Sequence, residues 1–146
     1  MSRVPFNLDE IRDDLDNVCL TEAVCKKCLG KKCLIGYSKY CVAECKSEDQ
    51  GYLEDGVDGI PTDDLRGGYD EFDSLHAIAH LLNQCHSCKN DHNKNCILNI
   101  VRNAYEVIEF GEEQDYEGNP LSYMMKLNQI NPEKAAIILD EYNAKK

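Results

Sequence analysis

The sequence lacks any long apolar stretch, and its longest runs without a polar residue span only a few positions, as at 135–139. A membrane-spanning helix needs about 20 predominantly apolar residues in a row. Residues 1–6 also lack the basic-then-apolar pattern of a secretory signal. These two absences predict a soluble cytoplasmic protein without a membrane partner.

Several motifs of enzymes and nucleic-acid-binding proteins are also missing. The sequence contains no Gly-rich phosphate loop, no nucleophile elbow and no HExxH motif. The formal net charge is −11, although six lysines between residues 26 and 46 form a local basic patch. Residues 47–75 carry ten acidic side chains against one basic one. This charge disfavours nucleic acid as a partner and predicts that the 47–75 segment docks another protein with a basic surface.

Cysteine, in contrast, is abundant, with nine in 146 residues. A secreted disulfide scaffold would have an export signal and usually an even number of cysteines. A redox C-x-x-C would accompany a βαβ pattern, and the sequence shows no convincing pair of strands. Clustered cysteines at short spacing in a reducing compartment are typical of metal ligands. We therefore predict thiolate metal binding at one site or two.

The first cysteine cluster lies between residues 25 and 45. It begins with a C-x2-C pair and ends with two cysteines four residues apart, which share one face of a predicted helix. The favoured ligands are Cys25, Cys28, Cys41 and Cys45, with Cys33 as a substitute. Cys19 is interpreted as a core residue. Zinc and a [4Fe–4S] cluster both accept four thiolates, so the sequence leaves the choice between them open.

The second cluster contains four potential ligands within twelve residues, in the pattern C-x2-C-x3-H-x3-C. Its members are Cys85, Cys88, His92 and Cys96. The spacing resembles that of a zinc knuckle, although both later gaps are shorter. Two cysteines from the C-x2-C pair and two ligands from the start of the next helix would suit tetrahedral zinc.

A third pattern lies just before the second cluster. His76 and His80 are one helical turn apart, and Asp73 precedes His76 by three residues. Two histidines and one carboxylate form the ligand set of many zinc hydrolases and non-haem iron enzymes. Two alternatives stay open at this point. The histidines could complete the ligand set of Cys85 and Cys88, or they could bond to neighbouring acids or backbone at the edge of an apolar stripe.

The apolar periodicity predicts an all-α fold. The expected helices are 7–20, 34–46, 70–84, 93–110, 120–130 and 132–143. Asn7, Asn119 and Asn131 are the expected N-caps, the last two before a proline, and Gly111 suits a helix end. Residues 47–70 read as a long acidic loop. The whole chain, 1–146, is predicted to be one small helical domain with three parts: a Cys-rich part at 1–46, this loop, and a helical part at 71–146 that carries the second cluster.

The leading functional hypothesis is a non-catalytic metalloprotein that holds zinc or an iron–sulfur cluster. It would act as an accessory, electron-transfer or partner-binding module, because thiolates can occupy every coordination position of the metal. One alternative is a metal-dependent enzyme that uses Asp73, His76 and His80 and keeps a water at an open position. Another is a zinc-stabilised nucleic-acid-binding module.

Overall fold

The computed structural model describes residues 7–19, 33–48, 52–62, 71–87, 96–114, 116 and 119–145. This part of the chain contains six α-helices and no strand, which confirms the all-α prediction for it. The helices are α1 (Leu8–Val18), α2 (Leu34–Glu48), α3 (Glu71–Ser87), α4 (Ile97–Phe110), α5 (Pro120–Ile130) and α6 (Pro132–Lys145). None of the described helices has the length and apolar character that crossing a bilayer requires.

The helix ends follow the predicted capping chemistry. The Asn7 side chain accepts a hydrogen bond from the Glu10 amide at 3.0 Å, at the start of α1. The Asn119 side chain accepts from the amides of Leu121 and Ser122 at the start of α5. Gly111 ends α4 with φ of 82°, a left-handed conformation that glycine adopts at little cost. These three boundaries are therefore set by local sequence.

Replacing Asn119 by alanine should lower the free energy of unfolding by about 1 kcal/mol, because two amides at the start of α5 lose their acceptor. Urea denaturation measures this loss. The matched control is Asn128→Ala, at an exposed position inside the same helix. An equal loss in both variants would show that the cap contributes nothing of its own.

The helices pack so that α1 and α6 both lie against α3. Helix α4 contacts α2 and α3, and α5 lies on α6. Each contact buries an apolar face, such as Ile11, Leu15 and Val18 on α1. This arrangement brings one flank of α3 between side chains from α1 and α6, which is where the candidate site lies.

Helix α4 is buried on all sides, from Ile97 through Val107. The apolar periodicity of the sequence predicted only one buried face for it. The polar residues on its other faces form a hydrogen-bonded network around the Glu106 carboxylate. That carboxylate accepts from Arg102 Nε at 3.0 Å, from Asn103 Nδ2 at 2.7 Å, from the Gln114 amide at 2.9 Å, and from the Tyr123 hydroxyl.

The Arg102 guanidinium completes this network. It donates to Asn99 Oδ1 at 2.6 Å and lies over the rings of Tyr116 and Tyr123, at 4.7 and 5.3 Å from their centroids. Buried charges are tolerated when they are paired and hydrogen-bonded. The network therefore ties α4 to the segment that follows it and to α5.

The described part of the acidic segment, residues 52–62, is folded against the helices. It contains a 3₁₀ turn, Val57–Gly59, and Ile60 is buried. The Tyr37 hydroxyl on α2 donates to the Gly56 carbonyl at 2.6 Å. A Cβ atom on Gly56 would lie 2.9 Å from the Leu53 carbonyl oxygen, closer than real Cβ atoms come to backbone, so this turn favours glycine. The other residues of the predicted loop, 49–51 and 63–70, lie outside the described ranges.

Candidate metal centre

Two histidines on α3 each face a carboxylate from a neighbouring helix. His80 Nδ1 lies 2.6 Å from Asp14 Oδ2 of α1. His76 Nδ1 lies 3.0 Å from Glu141 Oε2 of α6. The two imidazole rings are 4.0 Å apart between centroids and meet edge to face. One turn of helix separates the histidines in sequence, so α3 presents both rings on the same flank.

Asp14, His76 and His80 bring potential ligand atoms, one from each residue, within 4.8 Å of one another. Bonds from zinc to imidazole nitrogen or carboxylate oxygen are about 2.0–2.2 Å long, so two ligand atoms of a tetrahedral ion are about 3.3–3.6 Å apart. Small side-chain adjustments would therefore place all three around one ion.

The hydrogen bonds indicate which nitrogen of each imidazole ring carries the proton. An ionised carboxylate only accepts, so Nδ1 of each histidine is the donor. In a neutral imidazole this leaves a lone pair on Nε2. For His76, held by Glu141 at Nδ1, the available Nε2 is the usual arrangement at metal sites. For His80, an ion shared with Asp14 would take the place of the Nδ1 proton.

His80 Nε2 is buried and has no hydrogen-bond partner among the residues that the structure describes. The residue as a whole is only 6 % exposed. Buried polar atoms rarely lack a protein partner, and where they do, a bound ion or an ordered water often supplies the contact. Nε2 of this ring therefore needs a polar partner that Asp14, which contacts Nδ1, does not supply.

Tyr105 of α4 adds a second buried atom of this kind. Its side chain is 1 % exposed, and its hydroxyl has no partner among the described residues. Burial, and then the negative charges of Asp14 and Asp73, raise the pKa of this hydroxyl well above its ordinary value.

The site is open to solvent on the α6 side. The side chains of His76 and Glu141 are 31 % and 23 % exposed, whereas that of His80 is 7 % exposed. Phe72, one turn before His76, is exposed and stacks on its ring with centroids 5.7 Å apart. The His76 side of the centre is thus its more exposed side, and His80 is shielded.

The sequence pattern named Asp73 as the acid beside the two histidines. In the structure Asp73 is half-buried near Tyr105, and the acid in the converging group is Asp14. Asp14 lies on the apolar face of α1, three residues after Ile11 and four before Val18. An acidic residue on an otherwise apolar stripe is a sequence signal that could have identified it.

The cysteines of the predicted thiolate sites have different surroundings. Cys33, Cys41 and Cys45 are buried in the hydrophobic core, and Cys96 is half-buried at the N-cap of α4. Cys19, the predicted core residue, packs half-buried against that core. None of these five forms a disulfide with another described cysteine. Among the described residues they form no group of three ligand atoms within 4.8 Å.

The remaining predicted ligands fall largely beyond what the structure describes. Cys25, Cys28, Cys88 and His92 lie outside the described residues. Cys85 belongs by its backbone to the last turn of α3, which extends to Ser87 and so beyond the predicted end at residue 84. The two predicted thiolate ligand sets therefore stay predictions.

The Cys45 thiol interacts electrostatically with cysteines of both predicted clusters. Burial first, and then the charges of Cys41 and Cys96, raise the pKa of this thiol to about 12. Cys41 and Cys45 come from the first cluster and Cys96 from the second. Helices α2 and α4 pack against each other and bring them together.

Comparison of the chain with protein-family models, with curated proteins and with solved structures gives no match.

Proposed function

We propose that this protein is a metal-dependent enzyme in which Asp14, His76 and His80 hold a divalent transition-metal ion. The observation that carries the proposal is the convergence of these three side chains within 4.8 Å, from two helices far apart in sequence. Two histidines and one carboxylate are a ligand set that zinc and iron enzymes share. Glu141 holds His76 from outside the ligand set.

Hydrogen bonding between helices accounts for part of this geometry without a metal. Histidine–carboxylate bonds such as His80–Asp14 and His76–Glu141 also occur where helices simply pack together. Packing among the described residues leaves His80 Nε2 buried without a partner. An ion between Asp14 and His80 would replace the Nδ1 proton, and Nε2 would be left to an ordered water.

Three protein ligands leave at least one coordination position open, and the solvent-exposed side of His76 leads to it. A metal ion lowers the pKa of a bound water toward neutrality and so generates a nucleophile. The reaction class we propose is therefore hydrolysis of an ester by metal-activated water. Glu71, the acid nearest to this motif on its N-terminal side, is not the base, since its carboxylate faces Lys134 at 3.6 Å.

The test is Co²⁺ binding to metal-free protein, followed by its visible spectrum, and hydrolysis of p-nitrophenyl acetate by the loaded form. We expect one ion per chain at this centre. Glu141→Gln should weaken Co²⁺ binding about 10- to 100-fold, because it removes the carboxylate that orients His76. His80→Ala should abolish both binding and hydrolysis.

The matched control is Glu133→Gln, an exposed acid on the same helix as Glu141, which should bind Co²⁺ as the wild type does. Undiminished Co²⁺ binding by His80→Ala would contradict the metal centre. Binding at this centre with no metal-dependent hydrolysis of either carboxylic or phosphoric esters would contradict the enzymatic activity alone.

A second candidate is the thiolate metalloprotein predicted from the sequence, with zinc or an iron–sulfur cluster. The observation that favours it is the electrostatic interaction of Cys45 with Cys41, from the first cluster, and Cys96, from the second. The exposed Glu54, Asp55 and Asp58 would offer a basic protein partner a docking surface. Iron and sulfide analysis of protein purified without oxygen tests for the cluster.

A further inference from the structure

Three side chains of α3 form a row along the flank that carries the candidate metal centre. Phe72, His76 and His80 follow one another at intervals of four residues, so they share one face of the helix. The Phe72 ring stacks on the His76 ring, with centroids 5.7 Å apart and 16° between the ring planes. The rings of His76 and His80 are 4.0 Å apart. Phe72 therefore lies at one end of the row and the buried histidine at the other.

Solvent exposure increases along this row. The side chain of His80 is 7 % exposed and that of His76 is 31 % exposed, whereas Phe72 is 52 % exposed. A single exposed apolar residue is ordinary on a protein surface, but this one is in contact with a ring of the proposed ligand set. Covering its exposed half with another apolar group would remove that surface from water, which is favourable. The more exposed side of the centre therefore carries an apolar contact surface.

The charged groups around Phe72 are mainly acidic. Glu71 and Asp73 are its neighbours in the chain, and Glu141 holds the adjacent histidine ring at 3.0 Å. Lys134 partly offsets Glu71, with its ammonium 3.6 Å from that carboxylate. A surface lined by charges of one sign repels ligands of the same sign. This side of the centre therefore favours an uncharged ligand over an anionic one.

Building on the metal centre proposed above, we propose that the substrate is an uncharged carboxylic ester whose aromatic or bulky apolar group packs on Phe72. Hydrolysis adds one water across this ester. The water oxygen bonds to the carbonyl carbon, the bond from that carbon to the alcohol oxygen breaks, and the alcohol oxygen takes up a proton. Phe72 contacts the part of the substrate that does not react, so it determines which esters bind.

The spacing of the rings agrees with this role. Aromatic rings in contact have centroids about 4.5–7 Å apart, and the Phe72 ring lies at 5.7 Å from that of His76. A substrate ring joined to the ester carbonyl would extend from an ion beside His76 toward Phe72. An acetyl group is too short to make the same contact. The proposal therefore predicts discrimination between benzoyl and acetyl compounds.

The experiment measures this discrimination with benzohydroxamate and acetohydroxamate, which carry the same metal-chelating group. The visible spectrum of the Co²⁺-loaded protein gives both dissociation constants. Wild type should bind benzohydroxamate more tightly, and Phe72→Ala should reduce the ratio of the two constants about 3- to 10-fold, the effect of losing an aromatic pair. Phe72→Tyr should keep the ratio. Leu121→Ala is the matched control, because it removes an exposed apolar side chain from another helix, α5.

A charged analogue tests the second part of the proposal. At low salt, 4-carboxybenzohydroxamate should bind to Co²⁺-loaded wild type about 2- to 5-fold more weakly than benzohydroxamate, the effect expected for a charge at an exposed site. Tighter binding of the charged analogue would overturn the assignment to uncharged substrates.

The remaining outcomes separate this inference from the metal centre. An unchanged ratio in Phe72→Ala would overturn the contact with Phe72 and leave the centre standing. Equal weakening of both hydroxamates would also overturn it, because Phe72 would then only orient His76. A wild type that takes up no Co²⁺ at the Asp14 centre, or that hydrolyses no ester, would overturn the function proposed above and this inference with it.

Discussion

Replacing Glu106 by glutamine should lower the free energy of unfolding by about 3–5 kcal/mol, the range found when one partner of a buried ion pair is removed. The Glu106 carboxylate is fully buried and accepts hydrogen bonds from four donors. In a glutamine, one of the two carboxylate oxygens becomes an NH₂ group, which is itself a donor and would face at least one of these four donors. It would also leave the Arg102 guanidinium, which is 1 % exposed, without its counter-charge.

Urea denaturation of both proteins measures this difference, provided that the slope of the transition is the same. Glu112→Gln is the matched control, because it removes the same charge from an exposed position nearby and should change the stability by less than about 0.5 kcal/mol. A loss below about 1 kcal/mol for Glu106→Gln would mean that the network is not a stabilising part of the core.

Zinc should stabilise the folded protein, and this is the second large effect we expect. A ligand that binds only the native state at 100 times its dissociation constant adds about 2.7 kcal/mol to the free energy of unfolding. For a chain of this length, that corresponds to a rise in melting temperature of about 5–11 °C. The ion would join α1 to α3 through Asp14 and the histidines, so it would stabilise the packing of both helices.

The variants His80→Ala and His92→Ala assign this stabilisation to a site. The rise in melting temperature on adding zinc should disappear in His80→Ala and persist in His92→Ala. The opposite outcome would place the stabilising ion in the second cysteine cluster, where His92 is a predicted ligand. Melting curves followed by circular dichroism, with and without a chelator, give the comparison.

The helices and their ends were predictable because their causes are local. Asn7 and Asn119 cap their helices through amides two or three residues away, and Gly111 ends α4 by its own backbone freedom. Both histidines of the candidate site were also identified, since their spacing of one helical turn is visible in the sequence. Such features depend on neighbours within a few positions.

The carboxylates of the site could not be predicted from local spacing. Asp14 and Glu141 reach the histidines from 66 and 65 residues away in sequence. Which helices flank α3 depends on how all the apolar faces pack together. A sequence pattern on α3 alone therefore selected Asp73, the acid on the same helix.

The polar core of α4 was missed for a related reason. Asn99, Arg102, Asn103 and Glu106 read as the solvated face of an amphipathic helix. They are buried because α2, α3 and the segment after Gly111 surround α4, and because each polar group finds a partner there. Periodicity distinguishes apolar from polar faces, but it does not show that polar residues satisfy one another inside the core.

X-ray absorption at the zinc edge of protein loaded with one equivalent of Zn²⁺ tests the central assignment most directly. Ligation by Asp14, His76 and His80 predicts a first shell of nitrogen and oxygen at about 2.0–2.1 Å, with the outer scattering of imidazole rings. A first shell of sulfur at about 2.3 Å would contradict it and place the ion among the cysteines.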